Sequence, residues 1–211
     1  MVDYLVARDG LPSRSGQAYD YVLAGDGLYL STANEWLELR VPVARCSVRG
    51  LQPIYAACTL RQGRLPMTIW DEILHCLRLA HTAGTEVLTG VRHEGEAYHL
   101  VVPHQIVAPL AVHYAPQDDL LLELHSHRDG AAQFSAIDTA DEQRLRIYGV
   151  VGQLDLVRPA VALRAGAYGY FLPVSWTSVF DGDCTCVDDV LAPDPSPILD
   201  ELAFGWQELE L

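Results

Sequence analysis

Lysine is absent from the 211 residues, and all 14 basic side chains are arginine. No side-chain amine is therefore present to accept an isopeptide bond, an absence that a GC-rich coding sequence explains most simply. Long apolar runs are missing as well. No stretch reaches the roughly 18–20 apolar residues that a membrane helix needs. The opening MVDYLVARDG has neither a basic start nor an apolar core, so no signal peptide is expected and a cytoplasmic location is. Cysteines are few. Cys46, Cys58, Cys76, Cys184 and Cys186 form an odd, scattered set, as expected of ordinary thiols in a reducing compartment. Cys184-Thr185-Cys186 is not a C-x-x-C pair, and no second pair exists to complete a four-cysteine zinc site. Positive charge is scarce too: a net charge of −14 repels phosphate backbones and argues against a nucleic-acid partner. There is no internal repeat, no P-loop and no GxGxxG.

What is present reads as a globular chain. Half the residues are apolar and a fifth charged, and the length suits one domain, or one domain plus an appendage, with a sizeable core. Residues 1–64 read as short strands between turns, with Gly25-Asp26-Gly27 as a hairpin turn. Leu37, Leu39, Val41 and Val43 alternate with polar residues in a further strand, which Pro42 assigns to a sheet edge. Residues 66–83, PMTIWDEILHCLRLAHTA, predict a helix with Ile69, Ile73, Leu74, Leu77 and Ala80 on one face and Gly84 just past its end. His75 and His81 are expected on its partly exposed side, not as ligands. A hairpin follows around 93–96, then an apolar segment at 106–113 closed by Pro116. A strand is expected at 120–127, a helix from about 135 to 147, and two or three more strands before 180. The acidic, Pro-rich stretch from Phe180 reads as a linker, and ILDELAFGWQELEL predicts a short terminal helix. The expected organisation is a β-rich module at 1–64, an α/β domain at 65–181 and an acidic tail at 182–211.

The chemistry concentrates in LLELHSHRDGAAQFSAIDTADE, residues 121–142. Side chains alternate along a strand, so residues 123, 125 and 127 share one face. His125 and His127 then point the same way, two imidazoles suited to one divalent metal. Asp138 lies far enough along for the loop to fold back and supply a third ligand. Two histidines and one aspartate leave a fourth position for water, the mark of a catalytic rather than a closed structural zinc site. Ser or Asp at the start of the following helix caps its free N–H groups and fixes where Asp138 points.

His125-Ser126-His127, seven residues, and then Ser135-Ala136-Ile137-Asp138 closely resemble the JAMM signature, H-[ST]-H-x7-S-x-x-D, of the JAB/MPN metallopeptidases. The resemblance implies an α/β fold of the JAB/MPN (cytidine-deaminase-like) type over 65–181, a mixed sheet with flanking helices. It implies Zn2+ as cofactor, His125, His127 and Asp138 as its ligands, and Ser135 as donor to the oxyanion. The family's general base is a glutamate on the strand after the first helix, a place that Glu86 occupies. Glu123 competes for that role, sharing a strand face with His125 at about 6.6 Å; Glu94 and Glu96 fall in a solvated turn. Two departures stand out: Arg128 replaces the family's usual proline, and Val87-Leu88-Thr89-Gly90 lacks its Gly-rich strand.

Beyond the signature, VPVA and VRGL near the start, residues 122–144 and IYGVVGQLDLVRPAVALRAGAYGYF are similar to the JAMM-type family of the PRTRC cassette, a bacterial mobile-element gene set. That likeness covers most of residues 20–181 and implies a ubiquitin-like protein substrate and a ThiF-like adenylating protein as partners. The implied function is a zinc-dependent peptidase or isopeptidase acting at the tail of a ubiquitin-like or sulfur-carrier-type protein. The alternative is a non-catalytic MPN-type scaffold, whose relatives usually lose ligands that are all present here. A nucleobase deaminase needs H-x-E and P-C-x-x-C, and both are absent.

Overall fold

The computed structural model describes residues 2–108, 111–115 and 117–191. The chain starts with a five-stranded sheet, β1 (Val2–Val6), β2 (Tyr19–Ala24), β3 (Gly27–Ala33), β4 (Leu37–Arg45) and β5 (Ala57–Leu60), in that order. Only β1 and β2 run parallel. Gly25 and Asp26 form the expected two-residue turn, and the Asp26 carboxylate accepts hydrogen bonds from the Tyr29 hydroxyl and the Ile54 amide. Leu37, Leu39 and Val41 alternate into the core. The edge position assigned through Pro42 is corrected: β4 lies between β3 and β5. Pro42 is tolerated there because pairing with β5 stops at Arg40, and a register shift lies opposite it at Leu28 and Tyr29; its missing N–H costs no ladder bond.

A short strand β6 (Leu65–Pro66) leads into α1 (Met67–Thr82), with Pro66 at the N-cap in extended conformation. Ile69, Trp70, Ile73 and Leu77 are buried, close to the predicted stripe. Gly84, at φ 77°, follows the last turn and donates its N–H to the His81 carbonyl, a left-handed stop that glycine adopts without strain. Then come β7 (Leu88–Glu94), β8 (Ala97–Val101), β9 (Gln105–Ala108) and β10 (Ala111–Tyr114). The apolar segment expected at 106–113 is thus a second hairpin, β9 against β10; Pro116 lies outside the described residues.

The functional half continues with β11 (Leu122–Ser126), α2 (Ala136–Asp141), β12 (Arg146–Gly152), β13 (Ala160–Ala167) and β14 (Tyr170–Val174). After α3 (Trp176–Val179) come β15 (Phe180–Asp181), paired with β6, a 3₁₀ turn at Cys184–Cys186, and β16 (Asp188–Asp189). The main sheet has the order β14-β13-β12-β11-β7-β8, with β16 also on β13. Strands β11 and β12 are parallel, as are β13 and β16. The helix expected to reach residue 147 ends at Asp141. Arg146 and Ile147 instead begin β12, seven consecutive buried residues that all pair with β13 and of which Ile147–Val151 also pair with β11, a tertiary demand that outweighs local helical pattern. The acidic stretch is partly built into the fold: Val187 is buried, and the Asp189 carboxylate accepts the Trp176 amide. The predicted terminal helix lies outside the described residues.

The architecture is mixed α/β but strand-rich; among the described residues α1 is the one helix longer than two turns, and the expected set of flanking helices is not evident among them. No described helix is long and apolar enough to cross a membrane. One apolar cluster joins Leu30, Leu39 and Val41 of the first sheet to Trp70 and Leu77 of α1 and to Leu122, Leu124 and Leu163 of the main sheet. Period-2 alternation then dictates the other face of the main sheet. Glu123 and His125 on β11, Tyr148 and Val150 on β12, and Ala162 and Arg164 on β13 are cross-strand partners that turn away from that core. The loop from residue 127 to 142 covers this second face, and Ala132 and Phe134 pack on Ala160 and Ala162.

Candidate metal centre

His125 is the penultimate residue of β11, and His127 follows one residue beyond the strand, so the two imidazoles stand together at the C-terminal end of an interior strand. Their Nε2 atoms are 3.2 Å apart. The chain then turns sharply. Arg128 adopts φ 46°, and the Gly130 amide donates back to the His127 carbonyl at 2.6 Å. Backbone bonds from His127 to Val151, from Gln153 to Gly130 and from Leu154 to Arg128 hold this turn against the end of β12. Gly152 permits the close approach: a Cβ there would collide with the Gly130 carbonyl and lie 2.7 Å from the Ala132 nitrogen. Proline, locked near φ −65°, could not take the conformation that Arg128 adopts.

The turn delivers Ser135 to the N-cap of α2. Its Oγ accepts the Asp138 amide at 3.1 Å, and the Asp138 carboxylate accepts the Ser135 amide at 2.6 Å, a complete capping box. One carboxylate oxygen of Asp138, Oδ2, is used in this box. The other, Oδ1, lies 3.5 Å from His125 Nε2. His125, His127 and Asp138 together place one donor atom each within 4.8 Å of one another.

These atoms fit a zinc ion. Two ligands about 2.0–2.1 Å from a tetrahedral centre stand about 3.3–3.4 Å apart, against the observed 3.2 and 3.5 Å. The protonation states fit as well. His127 Nδ1 lies 3.1 Å from the Ala131 carbonyl, a contact that makes Nδ1 the donor and leaves the Nε2 lone pair facing the site. Burial lowers the pKa of His125 to about 4, with the Asp138 charge pulling the other way, so its imidazole is neutral and able to ligate at neutral pH.

Glu86 precedes β7 by two residues, in the connection from α1. The Val87 amide donates to Ser126 Oγ, and the Ser126 amide donates to the Val87 carbonyl, which extends the β7–β11 pairing to the mouth of the site. Leu88 pairs with His125, and Glu86 shares its face by alternation. Its carboxyl is buried, which raises its pKa; the charges of His127 and Arg128 oppose that rise and Asp138 adds to it. Ser135 Oγ donates no hydrogen bond to any described residue, so its proton is uncommitted. Glu123, the competing base, is occupied: Arg146 Nη1 and the Tyr114 hydroxyl both donate to it at 2.6 Å. His75 and His81 ride on α1, and His81 Nδ1 lies 3.6 Å from the Asp129 carboxylate, beside the ligand turn but outside the ligand set.

Sequence reasoning missed the support beneath α2. Arg164 is buried among Glu142, Thr139, Phe134 and Phe171. An arginine in the centre of the apolar run AVALRAGA was itself a signal, because a buried charge demands partners. No protein-family model matches the chain, and no curated protein matches it significantly.

Proposed function

We propose that the protein is a zinc-dependent JAMM-type peptidase or isopeptidase with a JAB/MPN-type domain. Its substrate would be the tail of a ubiquitin-like or sulfur-carrier-type protein. The observation that carries this is the convergence of His125, His127 and Asp138 at zinc-ligand spacing, with Asp138 oriented by the Ser135 capping box. When bound, zinc supplies Lewis acidity, polarising a carbonyl and lowering the pKa of a water to roughly 7. Glu86 would accept a proton from the attacking water as its oxygen bonds to the carbonyl carbon, and would give that proton to the amine as the C–N bond breaks. Its burial favours the protonated form and so suits a carboxylate that must accept a proton near neutral pH. Ser135 donates its free hydroxyl proton to the carbonyl oxygen as negative charge develops there. Arg146 keeps Glu123 out of this chemistry by pairing with it.

Zinc per chain, measured on wild type and on His127→Ala purified alike, tests the ligand set. Near one equivalent in wild type and little in the variant is expected; equal zinc in both would place the metal elsewhere. Glu86→Gln should retain zinc and lose cleavage of a ubiquitin-like fusion. Full biological function in Glu86→Ala would instead favour the non-catalytic scaffold.

A further inference from the structure

The Ser135–Asp138 turn rests on no backbone ladder, and α2 is only six residues long with no buried residue of its own. A helix of that length does not hold itself together in water. Something else must fix Asp138 relative to the histidines, and the opposite strand supplies it. Arg164, fully buried on β13, directs Nε and Nη2 to one oxygen of Glu142, at 2.8 and 2.6 Å. Its Nη1 and Nη2 each lie 3.3 Å from Thr139 Oγ1. That hydroxyl donates in turn to the Ser135 carbonyl at 3.1 Å. The guanidinium plane is sandwiched between Phe134 and Phe171, 3.7 and 3.9 Å from their ring centroids. Arg164 therefore grips the residue before the N-cap, the middle of α2 and the residue after it.

We propose that Arg164 is the positioning residue of the metal centre, a clasp that holds the Ser135–Asp138 turn at ligand distance from His125 and His127. Its effect on a metal rests on the zinc reading of the site; its effect on the turn does not. The planar fork and two stacked rings are specific to arginine. A lysine ammonium offers neither the bidentate edge nor the flat face, so the conservative replacement does not restore the clasp.

The test uses the full chain as wild type, Arg164→Lys, and the double variant Arg164→Met with Glu142→Gln, which leaves no unpaired buried charge. Glu123→Gln with Arg146→Met is the control, because it dissolves a comparable buried pair that does not touch α2. Amide exchange over residues 134–142 and zinc affinity by chelator competition are read on each. Expected in both Arg164 variants is exchange faster by roughly tenfold or more across 135–142, with β12 and β13 unchanged. Zinc binding should weaken roughly 10- to 100-fold, as for other partners that orient metal ligands, and neither quantity should move in the control. Unchanged exchange at 135–142, or a uniform rise over the whole chain, overturns the clasp. Faster exchange with unaltered zinc affinity reduces Arg164 to a structural residue and also overturns it. Faster exchange in a protein whose wild type and His127→Ala form bind no zinc keeps the clasp and removes the zinc reading.

Discussion

Glu123→Gln separates a structural carboxylate from a reacting one. Glu123 and Arg146 are 8% and 2% exposed. Their ion pair measures 2.6 Å, and Tyr114 supplies a second short hydrogen bond to the same carboxylate. The amide is nearly isosteric but uncharged, so Arg146 stays buried with only the Gln117 carbonyl as a strong acceptor. Leaving one half of a buried pair uncompensated costs about 3–5 kcal/mol, a large part of the roughly 5–15 kcal/mol that stabilises an ordinary domain. For a chain of this size that corresponds to a fall in Tm of roughly 6–20 °C. Urea denaturation at pH 7 reads the loss, and adding Arg146→Met should recover most of it, since an apolar replacement removes the orphaned charge. Glu86→Gln, lacking such a partner, should shift the midpoint little. A loss below about 1 kcal/mol in Glu123→Gln would show that the pair is not the buried strut described above, and would reopen Glu123 as the base.

Gly152→Ala drives a methyl group into the Gly130 carbonyl and should push the ligand turn outward, weakening zinc binding roughly 10- to 100-fold while circular dichroism stays the same; wild-type affinity would refute the close approach. Arg128→Pro is incompatible with the observed φ and should destabilise the fold by at least about 1 kcal/mol. Arg128→Gly relieves the left-handed backbone and should stabilise by up to about 1 kcal/mol, so urea midpoints moving in the same direction would contradict that conformation. All five cysteines are free. Cys46 and Cys184 are exposed, whereas burial pushes the Cys58 thiol up to about 12. At pH 8, alkylation followed by mass spectrometry should find Cys46 and Cys184 modified first and the half-buried Cys58 later; labelling of Cys58 as fast as Cys46 would refute its shielding.

The strand that carries His125 and leads into His127 was legible because period 2 is a local property, and Ser135 with Asp138 because a capping box is written in four residues. The helix α1 was legible for the same reason. Its apolar stripe and terminal glycine need no tertiary knowledge. The end of α2 was not, since residues 142–147 are polar enough to continue a helix and only the pairing of Arg146 and Ile147 with β13, and of Ile147 with β11, makes these two a strand. Pro42 misled because a proline marks a missing donor, and whether that donor was needed depends on where the neighbouring strand stops. Glu123 looked available from its face alone; its partners Arg146 and Tyr114 come from two other strands. The Arg164 clasp reaches back 22 and 25 positions to Glu142 and Thr139, beyond any local pattern.

The two-sided main sheet also bears on how this sequence can drift. Substitutions at its surface are absorbed one side chain at a time, but one residue inserted or deleted just ahead of Leu122 exchanges the faces of β11. The imidazoles would turn into the apolar interior, while Leu122 and Leu124 would surface beneath the 127–142 loop. Length changes should therefore be tolerated in the connections, such as the stretch between β10 and β11, while within β11 a change in the number of residues should cost more than a change in their identity.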